Sequence, residues 1–341
     1  MIRTGLIGFG LGGTAFHAPL IAAVDGLVLS AVTTSRAEAV HAAYPQTRVA
    51  TPDDVIADPA IDLVVISTPN ATHYPLARAA LEAGKHVVID KPFAGCAEEA
   101  RALVDLARAN GRLAVPFHNR RWDSDFLTVR SLVEAGRLGE VLLYEAHWDR
   151  FRPEPSQQWK ETPAAGAGQL LDLGPHLIDQ ALLLFGGPEA VSGDLAVQRA
   201  QGVIDDYFSV TLHYGARRVV LASSRMIAAP RPRFGIYGRT GSFVKFGLDP
   251  QEAAMRAGAS VEDASHGAED PSLYGVLTLP EGGRETIPSQ RGDYRCFYAG
   301  IVSAIARGAP PPVAASDAIL GLRIIDAARE SAAEGRRIAL V

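Results

Sequence analysis

The chain opens on a short apolar strand that runs into glycines, "TGLIGFGLGG" over residues 4–13, and this run constrains the fold more than any other. In the pattern Gly8-x-Gly10-x-x-Gly13 the first glycine permits a tight turn and the second lets a pyrophosphate approach the backbone. The third allows a helix to pack closely on the strand. Amides at the start of that helix then meet the phosphate charge. A glycine triplet alone is a weak signature, and a turn without a ligand is the competing account. Pro19 falls where the helix should continue, which predicts a broken helix with Pro19 opening its second segment.

Strand and helix signals alternate up to about residue 120. "LVLSAVTT", "IDLVVISTP", "KHVVIDKP" and "RLAVPFH" read as buried strands; "THYPLARAALEAG" and "AEEARALVDLARANG" read as helices. Thr72 is placed as an N-cap and Gly84 as a C-cap. Such alternation predicts an α/β architecture, a Rossmann-type doubly wound parallel sheet over residues 1–120 whose ligands bind at the carboxyl ends of the strands. Beyond residue 120 the runs become long and alternating, as in "EVLLYEAHWDRF", "DYFSVTLHYGARRVVLASSRM" and "RFGIYGRTGSFVKFG". Residues 121–341 therefore read as an α+β domain on a mostly antiparallel sheet with helices on one side. The polar stretch from Asp249 to Ser272 predicts a mobile loop.

With 341 residues, 48% of them hydrophobic, the chain can build two cores. A net charge of −5 with both signs interspersed argues against nucleic acid and anionic membranes. No apolar run approaches the roughly 18 residues of a membrane span. Two distant cysteines, Cys96 and Cys296, argue against disulfides and a zinc site. The first residues already read as a strand and leave no room for a signal peptide. The expectation is a cytoplasmic protein without a metal, acting on a small molecule.

The second strand ends in Thr34, Ser35 and Arg36, where an NAD enzyme would carry an acid for the ribose hydroxyl. No carboxylate stands there to repel a 2′-phosphate, and a hydroxyl and a guanidinium are available to bind one. NADP(H) is expected ahead of NAD(H); a solvated helix start is the alternative for Arg36. Other strand ends supply Ser67, Thr68, Pro69 and Asn70, then Asp90, Lys91 and Pro92, then His118, Asn119 and Arg120. With Phe9 and Gly12 of the glycine turn, these are expected to line the cofactor, and His118 to reach the substrate as well. His73 is counted with them, although a surface helix position is the commoner case.

In "DLGPHLIDQALLLFG", Asp172 and His176 stand four residues apart and share a helix face, with Asp179 one turn further on. Gly174 and Pro175 suggest that the helix proper starts near them, with Asp172 at its first turn. An N-cap and a satisfied core histidine would be the bland account; a cavity-lining pair that handles protons is the functional one. Asp179 reads as structural, and His17, near the phosphates, as a helix-entry residue. Trp159 could cover a nicotinamide, and Arg152 and Tyr294 could bond a polyol.

Taken in order, the glycine turn, "TPNATH", "DKP" and "DLGPHLID" resemble the glucose–fructose oxidoreductase / inositol dehydrogenase family, also called Gfo/Idh/MocA, over essentially the whole chain. "FHAPLI", "FHNRRWDSDF", "DRFRPE" and "FGLDPQE" resemble the bacterial subgroup that includes scyllo-inositol dehydrogenases. The resemblance implies Lys91, Asp172 and His176 as the catalytic set and an open-faced sheet used to form a homodimer or homotetramer. The family usually has Glu before the Lys-Pro pair; here it is Asp90, shorter but of the same charge. A cis peptide before Pro92 is also implied. The activity so expected is reversible hydride transfer between a nicotinamide and a secondary alcohol of a cyclic polyol or sugar. His176 would act as general base, Lys91 would stabilise the developing oxyanion, and Asp172 would orient neighbouring hydroxyls. An aldose or dihydrodiol substrate, or a non-catalytic dinucleotide sensor, are the alternatives.

Overall fold

The computed structural model describes residues 1–155, 161 and 167–340. It divides into two compact units: Met1–Trp122 with Gln251–His266 and Asp293–Ile319, and Asp123–Pro250 with Gly267–Gly292 and the chain from Leu320 onward. Each has its own hydrophobic core.

The first unit is built on six parallel strands, β1 (Ile2–Ile7), β2 (Leu27–Thr33), β3 (Arg48–Val49), β4 (Leu63–Ile66), β5 (His86–Ile89) and β6 (Ala114–Pro116). Their order is β3-β2-β1-β4-β5-β6, so the strand sequence reverses between β1 and β4, the point at which such sheets take a dinucleotide. Runs such as "LVVI" in β4 are buried along their whole length, because a parallel sheet is covered on both faces. The glycine turn leads into a wide helical turn, Gly13–His17, followed by an α-helix, Ala18–Ala23, with Pro19 in its first turn. The expected break at Pro19 is present: Ala18 donates to the Gly13 carbonyl, five residues back.

The stretch expected to be mobile is ordered instead. Gln251–Arg256 forms a helix, and Met255 and Val261 join the core of the first unit. The buried Gln251 amide explains the order: it donates to the Trp122 carbonyl at 3.0 Å and accepts from the Tyr294 backbone amide at 2.9 Å. Polarity here marks satisfied hydrogen bonds rather than solvation.

Among the described residues the second unit holds nine strands, β7 (Val141–His147), β8 (Ala190–Ala196), β9 (Tyr207–Tyr214), β10 (Arg217–Ser224), β11 (Phe234–Gly238), β12 (Ser242–Lys245), β13 (Gly275–Thr278), β14 (Arg284–Ile287) and β15 (Ile338–Ala339). They run in the order β14-β13-β12-β11-β7-β10-β9-β8-β15, antiparallel except where β7 meets β10. The mostly antiparallel expectation holds. Alternation fixes the register: Phe208, Val210 and Leu212 of β9 are fully buried while Tyr207, Ser209 and Thr211 between them are not. Among the described residues no helix is long and apolar enough to cross a membrane.

Candidate active site

In the first unit the three glycines behave as their spacing requires. Gly8 has a positive φ of 104°, and a Cβ added there would fall on the Ser67 carbonyl. A Cβ on Gly13 would fall on the Gly8 carbonyl, whereas at Gly10 it would meet nothing within 4 Å. The turn is thus closed on its sheet side and open at the one glycine where a phosphate must approach. That shape fits a pyrophosphate.

Arg36 lies beside this turn. Its Nη2 donates to the Phe9 carbonyl, its guanidinium carbon stands 5.7 Å from the centre of the Phe9 ring, and its backbone amide donates to Thr34 Oγ1 at 3.1 Å. The residues expected to select the cofactor are therefore gathered at the rim of the glycine turn.

Ser67 and Asp90, from the ends of β4 and β5, stand behind the turn. A Cβ on Gly12 would come within 2.5 Å of Ser67 Oγ and 2.9 Å of Asp90 Oδ2. Ser67 Oγ donates to Asp90 Oδ2 at 3.2 Å, and the Lys91 backbone amide donates to Asp90 Oδ1 at 2.8 Å. Burial pushes the Asp90 carboxyl up, but the neighbouring His17, then Lys91 and His73, outweigh it and hold the group well below the ordinary carboxylate range. The Lys91–Pro92 peptide is cis.

His73 is buried rather than on the surface. Its ring joins two strand-end loops, with Nδ1 at 2.8 Å from the Pro92 carbonyl and Nε2 at 2.9 Å from the Thr68 carbonyl. Thr68 Oγ1 meets Thr72 Oγ1 at 2.6 Å, and the Thr72 hydroxyl donates to the Pro69 carbonyl at 2.7 Å. Thr72 holds the N-cap position of the helix His73–Glu82, but its side chain makes no capping bond because it is engaged in this turn. Asn70 opens the same turn, Asn70–Thr72.

His118, Asn119 and Arg120 follow β6 and are all buried. Arg120 pairs with Glu252 and donates from Nη1 to the Tyr294 hydroxyl at 3.2 Å. Tyr294 is fully buried, its hydroxyl turned to this guanidinium. Arg120 and Tyr294 thus belong to one buried cluster.

In the second unit the helix Gln169–Phe185 carries Asp172 and His176 on one face. It starts five residues before Gly174, which corrects the start expected near Gly174 and Pro175, while Asp172 lies in its first turn as expected. The cap is supplied from afar: Asp205 Oδ2 accepts from the Leu170 amide at 2.8 Å, and Gly168, with φ 102°, passes where a Cβ would collide with Asp205. Pro175 sits inside the helix, where it cannot donate to the Leu171 carbonyl. The His176 ring lies 6.0 Å from the Trp148 ring, tilted by 35°.

Asp172 stands at the end of a chain of alternating charges. Its Oδ2 is 3.9 Å from Arg225 Nη2; Arg225 Nη1 meets Glu161 at 2.8 Å; Glu161 meets Arg199 at 3.1 Å; and Arg199 Nε meets Asp206 at 2.8 Å. Gln169 Oε1 accepts from Arg225 Nε at 2.7 Å, one turn before Asp172. Arg152 is exposed, and its backbone amide donates to the Arg225 carbonyl at 2.7 Å. Trp159 lies outside the described residues.

Residues 2–118 match the description "Oxidoreductase family, NAD-binding Rossmann fold", and residues 130–340 match "Oxidoreductase family, C-terminal alpha/beta domain" of the same family. The chain belongs to the Gfo/Idh/MocA oxidoreductase family. It is 42% identical to the scyllo-inositol 2-dehydrogenase (NADP(+)) IolW of Bacillus subtilis, over 99% of this chain and 96% of that one. It is 46% identical to an uncharacterized oxidoreductase, YdgJ of Escherichia coli, over 97% and 96%. Among solved structures, the oxidoreductase YvaA of Bacillus subtilis superposes with a TM-score of 0.97 at 42% identity, covering 100% of this chain and 98% of that one.

Within this Gfo/Idh/MocA member, strand ends, spacing and family resemblance together singled out the glycine turn, Arg36, Asp90, Lys91, Asp172 and His176. It missed Arg225, Glu161, Arg199 and Asp206, which back Asp172, and it gave His17 no more than a place at the helix entry. Salt partners drawn from separate elements leave no periodic signal. The one available hint was an arginine at the end of a strand, in "LASSR".

Proposed function

We propose that the protein is an NADP(H)-dependent dehydrogenase that moves a hydride reversibly between the nicotinamide and a secondary alcohol of a cyclic polyol or sugar, scyllo-inositol being the type. The observation that carries this reading is the strand-end Lys91, its amide bonded to the Asp90 carboxylate at 2.8 Å, in the unit that also holds the open glycine turn. The 42% identity to an NADP-named inositol dehydrogenase supports it.

The nicotinamide, when bound, supplies the hydride acceptor and donor. Arg36 binds the 2′-phosphate from the rim of the turn, its fork of donors matching a phosphate face. His176 takes the hydroxyl proton, and Lys91 donates a hydrogen bond to the same oxygen as negative charge develops on it. Asp172, its Oδ2 3.9 Å from the Arg225 guanidinium, orients neighbouring hydroxyls of the substrate.

Initial rates with scyllo-inositol, myo-inositol, glucose and xylose, each with NADP and NAD, test the proposal through the absorbance of the reduced nicotinamide. Turnover is expected with an inositol and NADP. Tight dinucleotide binding with no turnover of any polyol would turn the reading to a sensor. Arg36→Ala is expected to raise the KM for NADP by roughly 10–100-fold, the worth of one charge-assisted contact, with little change for NAD. Equal losses for both cofactors would remove Arg36 from the phosphate role.

A further inference from the structure

Behind the strand end that carries Lys91, a histidine and a tyrosine 281 residues apart meet in the interior of the first unit. His17, from the turn after the glycines, and Tyr298, from the helix Arg295–Arg307, are both fully buried. His17 Nδ1 lies 2.7 Å from the Tyr298 hydroxyl, and its Nε2 lies 3.6 Å from Asp90 Oδ2. The imidazole packs against Phe117 with centroids 4.2 Å apart and the rings tilted by 44°, and Phe117 is held edge-on by Phe297 at 4.8 Å. The ring is therefore fixed in plane and position by aromatic packing.

Chemistry orders the protons along this line. An ionised carboxylate only accepts, so the imidazole serves Asp90, 3.6 Å away, through a hydrogen on Nε2. Where Nδ1 carries no hydrogen, it accepts from the Tyr298 O–H across the 2.7 Å contact. Tyr298 is suited to that part: burial and then the Asp90 charge raise it well above the ordinary phenol value, so it keeps its proton. The groups facing Asp90 are His17, Lys91, His73, Ser67 and, through His17, Tyr298.

We propose that Tyr298 and His17 form a positioning relay that orients the Asp90 carboxylate, and through it sets the Lys91 ammonium for work on the substrate hydroxyl. Neither residue touches substrate. The catalytic half of this statement rests on the reading of Lys91 given above; the half that concerns Asp90 does not. Removing the imidazole leaves Asp90 enclosed with fewer donors, so burial prevails and the carboxyl takes up a proton at higher pH. Below that pH, Lys91 loses its neighbouring negative charge, and turnover falls with it.

The test has one arm that needs no activity. Carbonyl-carbon NMR of labelled aspartate in the cofactor-free protein follows the Asp90 carboxyl directly. In the wild type it is expected to titrate below the ordinary carboxylate value of about 4, and in His17→Phe above it. His17→Gln offers an amide N–H to Asp90 and an oxygen to Tyr298, and is expected to restore the low value. Tyr298→Phe, which removes only the donor to Nδ1, is expected to fall between. In the kinetic arm, the acid side of the kcat pH profile carries, besides the fall expected from a protonated general base, a further ionisation in His17→Phe that is absent from the wild type and from His17→Gln. An Asp90 titration unmoved in both His17→Phe and Tyr298→Phe overturns the relay; should His17→Phe fail to fold, Tyr298→Phe decides alone. A wild type inactive on every polyol sinks the dehydrogenase reading, while the NMR arm still decides the relay.

Discussion

His176→Ala is expected to lower kcat by roughly 10²–10⁴, the usual range for loss of a general acid–base group. The affinity for the dinucleotide should persist. The two effects separate because the glycine turn, Arg36 and Asp90 all belong to the first unit, whereas His176 sits on the helix Gln169–Phe185 of the second. Imidazole is the side chain whose ordinary titration lies nearest neutrality, so it can take a hydroxyl proton in one direction and return it in the other. Substituting alanine also removes the ring that lies 6.0 Å from Trp148. His176→Gln keeps polar bulk there and cannot act as a base, so it controls for packing. Fluorescence titration with NADPH and steady-state rates on a polyol are the measurements. Turnover at the wild-type rate in His176→Ala would remove the residue from the chemistry, and a parallel loss of cofactor affinity would point to damage beyond the site.

What the sequence disclosed, and what it hid, follows from the range of the forces involved. Gly8, Gly10 and Gly13 announced themselves because the constraint on each is local: a positive φ, an open approach, and a carbonyl against which no Cβ fits. The parallel sheet was legible from runs such as "LVVI", because burial on both faces leaves no polar position. The start of the helix that carries Asp172 was misjudged because Pro175 and Gly174 are local signals, while the cap that sets the start is Asp205, 35 residues away from Leu170. The polar stretch around Gln251 looked solvated because its two backbone partners, Trp122 and Tyr294, are remote in sequence. His17 is the sharpest case. A histidine in "FHAPLI" reads as a helix-entry residue until Tyr298 arrives from the far end of the chain.

The charge chain behind Asp172 carries the largest stability prediction. The Asp206 side chain is 0% exposed and accepts from the Gln198 amide at 2.7 Å, the Arg199 amide at 3.2 Å and Arg199 Nε at 2.8 Å. Asp206→Ala deletes all three bonds and leaves the Arg199 guanidinium, itself 2% exposed, with Glu161 as its remaining carboxylate. Breaking one partner out of a buried ion pair typically costs about 3–5 kcal/mol, because the charge left behind stays desolvated. Set against a total stability of about 5–15 kcal/mol for a folded domain, that is a large share. The urea midpoint of the second unit should drop accordingly, and an unchanged midpoint would mean that the chain of charges is not a stabilising unit. Asp206→Asn keeps the shape and one acceptor oxygen, so its loss should be smaller. Function should follow the same order. Glu161 bonds both Arg199 and Arg225, and Arg225 stands 3.9 Å from Asp172, so a guanidinium released from Asp206 competes for Glu161 and loosens the cation that faces Asp172. In conditions where Asp206→Ala remains folded, the proposed roles, Asp172 orienting the substrate and His176 moving the proton, predict that the KM for the polyol rises before kcat falls.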